Sequence, residues 1–200
     1  MNRDDFYHLL QQRRSIRKYK PDPIPKEIIQ RILNGAIEAP SGKNRQNWKF
    51  VILSGKKREE YLKLSQATWT HLKDLLKVKL KPSLYDFTER FFYTLGQAPV
   101  IIFCYSINSS DEKYLTSIGS VYMAAENINL AAFAEGLGCC TMGAPLEIKD
   151  EVNQFLGVTE WPEFKINELD LLCAITLGYP DHQPPKAPRQ TEDRFIWLEN

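Results

Sequence analysis

Arg13-Arg14-Ser15-Ile16-Arg17 places three guanidinium groups and a hydroxyl within five residues, between an N-terminal helical stretch and a loop punctuated by Pro21, Pro23 and Pro25. A guanidinium offers paired N–H donors that match two phosphate oxygens at once. The cluster therefore reads as a seat for phosphate or another compact anion. Taken alone, the same residues also fit a solvated basic turn, because runs of charge usually lie exposed. The rest of the chain has to decide between the two.

The chain has 200 residues, 43% hydrophobic and 26% charged, with a formal net charge of +1. These totals predict one globular domain over residues 1–200, long enough to bury a sizeable core. Near-neutral charge gives no bulk attraction to nucleic acid or membrane, so any basic site must be local. No run of about 18 apolar residues predicts a membrane-spanning helix. The opening MNRDDFYHLLQQRR carries acids and no long apolar core, which is not the pattern of a signal peptide. The four cysteines form no CxxC pair, and His8, His71 and His182 are far apart, so no metal site is expected. Cys104, Cys139, Cys140 and Cys173 read as small core residues in a reducing cytoplasm. The vicinal Cys139-Cys140 pair carries redox work as its alternative reading.

Working outward from the arginines, residues 4–13 read as a helix, with Asp4 as its cap and Phe6, Leu9 and Leu10 on one face. The alternating prolines forbid helix until Pro25, near the start of a second helix over 26–38 whose stripe is Ile28, Ile29, Ile32, Leu33, Ala36 and Ile37. Residues 40–48 form a polar loop in which Gly42 allows a sharp turn. A strand over 49–53 and a helix over 58–66 follow. Residues 67–96 read as two helices broken at Pro82. They mix Lys73, Lys77, Lys79 and Lys81 with Trp69, Phe87, Phe91 and Tyr93, and fit either a lid over a site or an ordinary outer helix pair. Residues 98–105 are a buried strand. Residues 117–135 form the longest helix, rich in alanine and closed by Gly136-Leu137-Gly138. A short strand over 139–142, a helix over 145–155, a loop over 160–167 and a strand over 171–177 complete the core. The tail from Asp181 is stiffened by proline and ends in the apolar plug Phe195-Ile196-Trp197-Leu198, for this chain or a partner subunit to cover.

There is no GxGxxG, no P-loop and no GxSxG, which points to chemistry borne by a cofactor. RRSIR at 13–17, EAPSGKNRQNW at 38–48, the Gly-Leu-Gly turn after the alanine-rich helix, LGYP at 177–180 and a Pro/Lys/Arg tail follow one another in that order. Together they resemble the FMN-dependent nitroreductase family, over about residues 8–197, with 67–96 the stretch that lacks a counterpart.

The resemblance implies an α+β fold, a mostly antiparallel central sheet flanked by helices. It also implies an intimate homodimer with an exchanged C-terminal tail and FMN at the interface, touched by both chains. Arg13, Ser15 and Arg17, with Arg14 beside them, would meet the FMN phosphate and the polar edge of the flavin ring. Pro40, Ser41 and Asn44, with Gln46 and Trp48, would form the loop given by the second chain, where Asn47 replaces the family's usual proline. Thr141, Met142, Gly143 and Ala144 would lie beside the reactive edge, with a backbone N–H, best placed at Gly143, facing flavin N5. Lys186 and Arg189 would close on the phosphate.

The implied activity is that of a cytoplasmic NAD(P)H oxidoreductase. NADH or NADPH would reduce FMN, which would in turn reduce a nitroaromatic, quinone or similar planar small molecule by ping-pong turnover, with no catalytic side chain required. An FMN-binding redox sensor or storage protein remains open, as do the dehalogenase and enone reductase branches. The iodotyrosine type of dehalogenase holds its substrate with a Glu, Tyr and Lys that 67–96 does not place. A nucleic-acid protein built on the 73–81 run conflicts with the net charge.

Overall fold

The computed structural model describes residues 2–108, 114–166, 169–190 and 194–198. Its strands are β1 (Trp48–Ser54), β2 (Val100–Ile107), β3 (Gly138–Met142) and β4 (Leu169–Gly178). They form one sheet in the order β1-β2-β4-β3, with every neighbouring pair antiparallel. The helices are α1 (Arg3–Gln12), α2 (Lys26–Ala36), α3 (Gly55–Lys79), α4 (Pro82–Thr94), α5 (Tyr114–Ala134), α6 (Lys149–Leu156) and α7 (Pro162–Lys165). This is the α+β architecture that the resemblance implies.

The central strand explains the layering. β2 is apolar almost throughout, because both faces are covered. Val100, Ile102 and Cys104 join the core under α2 and α5, while Ile101, Phe103 and Tyr105 join a second core under α3, α4 and α6. β2 begins two residues later than the apolar run, after Pro99, which has no N–H to enter a ladder. Across β2 and β4, Cys104 faces Cys173 but Tyr105 faces Leu171. The slip leaves Leu172 as an extra residue, so Leu172 and Cys173 both pack on the α5 side.

Several boundaries differ from the sequence expectation. The cap of α1 is Asn2, not Asp4: Asn2 and Asp5 exchange side chain to backbone hydrogen bonds, each 2.9 Å. The stretches 58–66 and 67–79 belong to one helix, α3, because nothing between Gln66 and Trp69 breaks it. Pro82 does break the run and opens α4, where its missing N–H costs nothing. Trp69 is only 2% exposed. It packs on Phe92 and Tyr85 at centroid distances of 5.5 and 5.0 Å, and its indole N–H donates to Glu89 at 3.0 Å. Trp69 and Phe91 are thus core residues. Phe87 and Tyr93 remain exposed. The predicted helix over 145–155 divides into a 3-10 turn, Ala144–Ile148, and α6. The predicted loop over 160–167 contains α7, and Asn167 lies outside the described residues.

Candidate functional site

The arginine cluster is pinned to the sheet by the backbone that follows α1. Ile16 N–H donates to Cys139 O at 2.9 Å, Tyr19 N–H to Gly96 O at 2.8 Å, and Lys20 N–H to Tyr179 O at 2.9 Å. Ser15 forms a parallel bridge with Cys139, so the free edge of β3 is covered by the cluster itself. The Tyr19 hydroxyl is buried between Ile16 O and Thr176 Oγ1, and burial pushes its pKa upward. The glycines make room for this docking. A Cβ on Gly96, at φ +63°, would stand 2.2 Å from Arg17 O, and one on Gly138 would stand 2.4 Å from Ile16 Cγ1.

A cleft of about 250 Å³ opens where the cluster meets β3 and α5, lined by Arg13, Ser15, Tyr122, Glu126, Asn129 and Thr141. Arg13 Nε lies 3.3 Å from Glu126 Oε1. Asn129 Nδ2 donates to Glu126 Oε2 at 2.8 Å and approaches Thr141 Oγ1 at 3.2 Å. Arg14 turns inward. Its Nη1 donates to Gln11 O and Arg13 O at 2.6 and 2.8 Å, and its Nε is buried without a partner among the described residues. Arg17 is exposed. Burial raises the Cys140 pKa, an effect that Arg17 only partly offsets, and burial pushes the Cys139 thiol up to about 12.

The predicted segment 141–144 continues directly from this cleft. Thr141 and Met142 end β3, Gly143 precedes the 3-10 turn, and Ala144 starts it. Gly143 has φ −89°, and a Cβ there would meet nothing within 4 Å. The fold itself does not require glycine at this position.

The 40–48 loop lies along the same helix. Gly42 N–H donates to Ser120 Oγ at 3.4 Å, six residues or about 9 Å of helix from Glu126. Ser41 Oγ accepts from Gln46 N–H at 2.9 Å, and Gln46 Nε2 donates to Asn44 Oδ1 at 3.3 Å. The sharp turn expected at Gly42 falls instead on Lys43, Asn44 and Gln46, at φ 52°, 55° and 50°. Three side-chain-bearing residues in the left-handed region store strain of the kind that collects at binding sites. Asn47 is buried and donates to Ser106 Oγ at 2.9 Å and Ser117 O at 3.2 Å, which ties the loop to β2 and α5. Pro40 is exposed at the mouth of this loop. Lys186 and Arg189 are exposed on the extended tail, whose earlier residues Pro180 and Gln183 line a cavity of about 200 Å³ behind Arg13 and Arg14. The structure therefore brings Arg13 and Ser15 to one cleft with Thr141 and sets the 40–48 loop further along α5.

Sequence reasoning missed Tyr122, Glu126 and Asn129. Their signal was available as polar groups at spacings of four and three in an otherwise alanine-rich helix.

A larger cleft, about 610 Å³, lies at the opposite edge of the sheet between the proline loop and the start of α3. Its buried cation, Arg58, already donates to Ala98 O and Thr94 O, each at 2.7 Å, and to Glu59 at 2.9 Å. That arginine serves to hold the chain together, and the smaller cleft carries the unusual chemistry.

The family model described as Nitroreductase family matches residues 10–179. An iodotyrosine deiodinase of Thermotoga neapolitana is 29% identical over 191 residues, covering 92% of this chain and 93% of that protein. The FMN-dependent nitroreductase NfnB from Mycobacterium smegmatis, solved in complex with NADPH, superposes with a TM-score of 0.78 at 18% identity, over 98% of this chain and 99% of its own. A nitroreductase with bound FMN from Desulfitobacterium hafniense gives 0.77 at 22% identity, over 100% of both chains. No described helix is long and apolar enough to cross a membrane.

Proposed function

The chain belongs to the nitroreductase family, and from that membership we propose that it is an FMN-dependent oxidoreductase drawing electrons from NADH or NADPH and reducing nitroaromatic, quinone or similarly planar acceptors. The observation that carries the reading is the docking of Arg13-Arg14-Ser15 against β3, which sets phosphate-binding donors beside the 141–144 segment. The residues fit FMN. The Ser15 hydroxyl and the Arg13 guanidinium line a polar cleft, one buried nitrogen of the neighbouring Arg14 lacks a partner among the described residues, and Gly143 leaves open space where a flat ring can approach. Arg13, Ser15 and Arg17 would hold the phosphate and the ring's polar edge, Lys186 and Arg189 would join them from the tail, and Gly143 N–H would serve N5. Bound FMN would supply two-electron redox chemistry. The chain's own task is to bind, orient and cover.

The reading includes a homodimer. No residue of α1 is buried, and Phe6, Tyr7 and Leu10 on it are exposed, as are Tyr122 and Met123 on α5. β1 is an edge strand among the described residues. A partner would cover these faces, lend its Pro40, Ser41, Asn44 and Gln46 loop to the cofactor and exchange tails. Free, buried cysteines accord with a cytoplasmic setting.

Titrating flavin-stripped protein with FMN by fluorescence quenching tests the site. Arg13→Ala is expected to weaken binding about 10–100-fold, the loss of a charge-assisted contact worth about 1.5–3 kcal/mol. Unchanged affinity would remove Arg13 from the site. Similarity to a deiodinase supports a dehalogenase as the second reading. Release of iodide from an iodinated tyrosine by the reduced protein, with no turnover of nitroaromatics, would favour it.

A further inference from the structure

Glu126 and Asn129 stand one turn apart on α5, and the FMN reading gives neither of them a task. Their contacts form a chain. Arg13 Nε reaches Glu126 Oε1 at 3.3 Å, and Glu126 Oε2 accepts from Asn129 Nδ2 at 2.8 Å. Asn129 Oδ1 accepts from Thr141 Oγ1 at 3.3 Å and from Cys139 Sγ at 3.0 Å. Asn129 is 7% exposed, and a buried amide is costly unless its hydrogen bonds are met. Here the amide is met by Glu126 at Nδ2 and by Cys139 at Oδ1, and Thr141 Oγ1 lies within reach of both ends. Glu126 engages Arg13 at Nε, and a guanidinium has five N–H donors, so this contact does not exhaust those it can offer an anion. A long arginine side chain left untethered would spend rotamer freedom on each binding event.

We propose that Glu126 and Asn129 are positioning residues for the cofactor. Glu126 aims Arg13 at the phosphate, and Asn129 ties that pair to Thr141, so one face of α5 keeps the phosphate end and the ring edge in register. The inference rests on the FMN reading above and adds a division of labour within it: Glu126 acts on the phosphate alone, Asn129 on the whole flavin.

Riboflavin, which lacks the phosphate, separates the two roles. Holoprotein would be stripped of flavin, and dissociation constants for FMN and riboflavin measured by fluorescence quenching for wild type, Glu126→Ala, Glu126→Gln and Asn129→Ala. Circular dichroism would monitor the fold. Glu126→Ala is expected to weaken FMN about tenfold while riboflavin changes by less than about twofold, and Glu126→Gln, which keeps an acceptor, to recover part of the loss. Asn129→Ala is expected to weaken both flavins. Inorganic phosphate competing against FMN supplies a second reading of the same effect, with its inhibition constant rising about tenfold in Glu126→Ala. Tighter FMN binding in either Glu126 variant would show that the carboxylate repels the phosphate and would overturn the proposal. Equal losses of FMN and riboflavin in Glu126→Ala, or no loss, would also overturn it. If Asn129→Ala fails to fold, the half-exposed Glu126 variants decide. Wild type that binds neither flavin would instead sink the FMN reading itself.

Discussion

At the residue scale, Glu126 Oε1 lies 3.3 Å from Arg13 Nε and connects α5 to the arginine cluster. Three arginines in five residues announce an anion site locally, whereas Glu126 and Asn129 acquire meaning only when α5 comes beside Arg13 and Thr141. The cysteines show the reverse case, since their apolar surroundings already marked them as core, and all four are free and buried. Burial disfavours the charged thiolate and pushes Cys139 up to about 12 and Cys140 upward as well. Thiolate is the reactive form, so with Cys139 and Cys140 both buried and their thiolates disfavoured the vicinal pair in the native protein at pH 8 is expected to show no fast reaction with a disulfide reagent. In denaturant all four cysteines should react. One or two fast native thiols would revive a redox-sensing role for the vicinal pair.

At the scale of elements, periodicity located most helices and strands, and the failures have physical causes. α3 buries Arg58, Tyr61, Ser65, Thr68 and Trp69, a stripe at helical spacing that is largely polar and so invisible to hydrophobic pattern. The 40–48 turn relies on left-handed Lys43, Asn44 and Gln46 rather than on its glycine. Two glycines give opposite predictions. Gly96→Ala puts a Cβ into the Arg17 carbonyl at a left-handed φ, and is expected to cost about 2–3 kcal/mol, lower the melting temperature and loosen flavin. Gly143→Val keeps an allowed backbone and meets open space. Thermal melting of the flavin-free variant should match wild type within about 0.5 kcal/mol, while FMN binding or turnover falls at least about tenfold by obstruction of the ring. Equal stability losses at both positions would contradict this assignment of roles.

At the scale of the molecule, the family resemblance implied a mostly antiparallel sheet but no strand order. β4 lies between β2 and β3 although it is the last of the described strands, and such non-local pairing leaves no trace in local pattern. The exposed Phe195-Ile196-Trp197-Leu198 plug and the edge strand β1 predict that truncation after Gln190 will shift a full-length dimer toward monomer in light scattering and release FMN. A full-length protein that is monomeric yet holds FMN tightly would contradict the shared site. The central claim is electron transfer through flavin, and an anaerobic visible spectrum tests it most directly. Protein reconstituted with FMN should show flavin bands that bleach on adding NADH or NADPH and return on adding a nitroaromatic. Protein that takes up no FMN, or whose flavin neither nucleotide bleaches, would contradict the account.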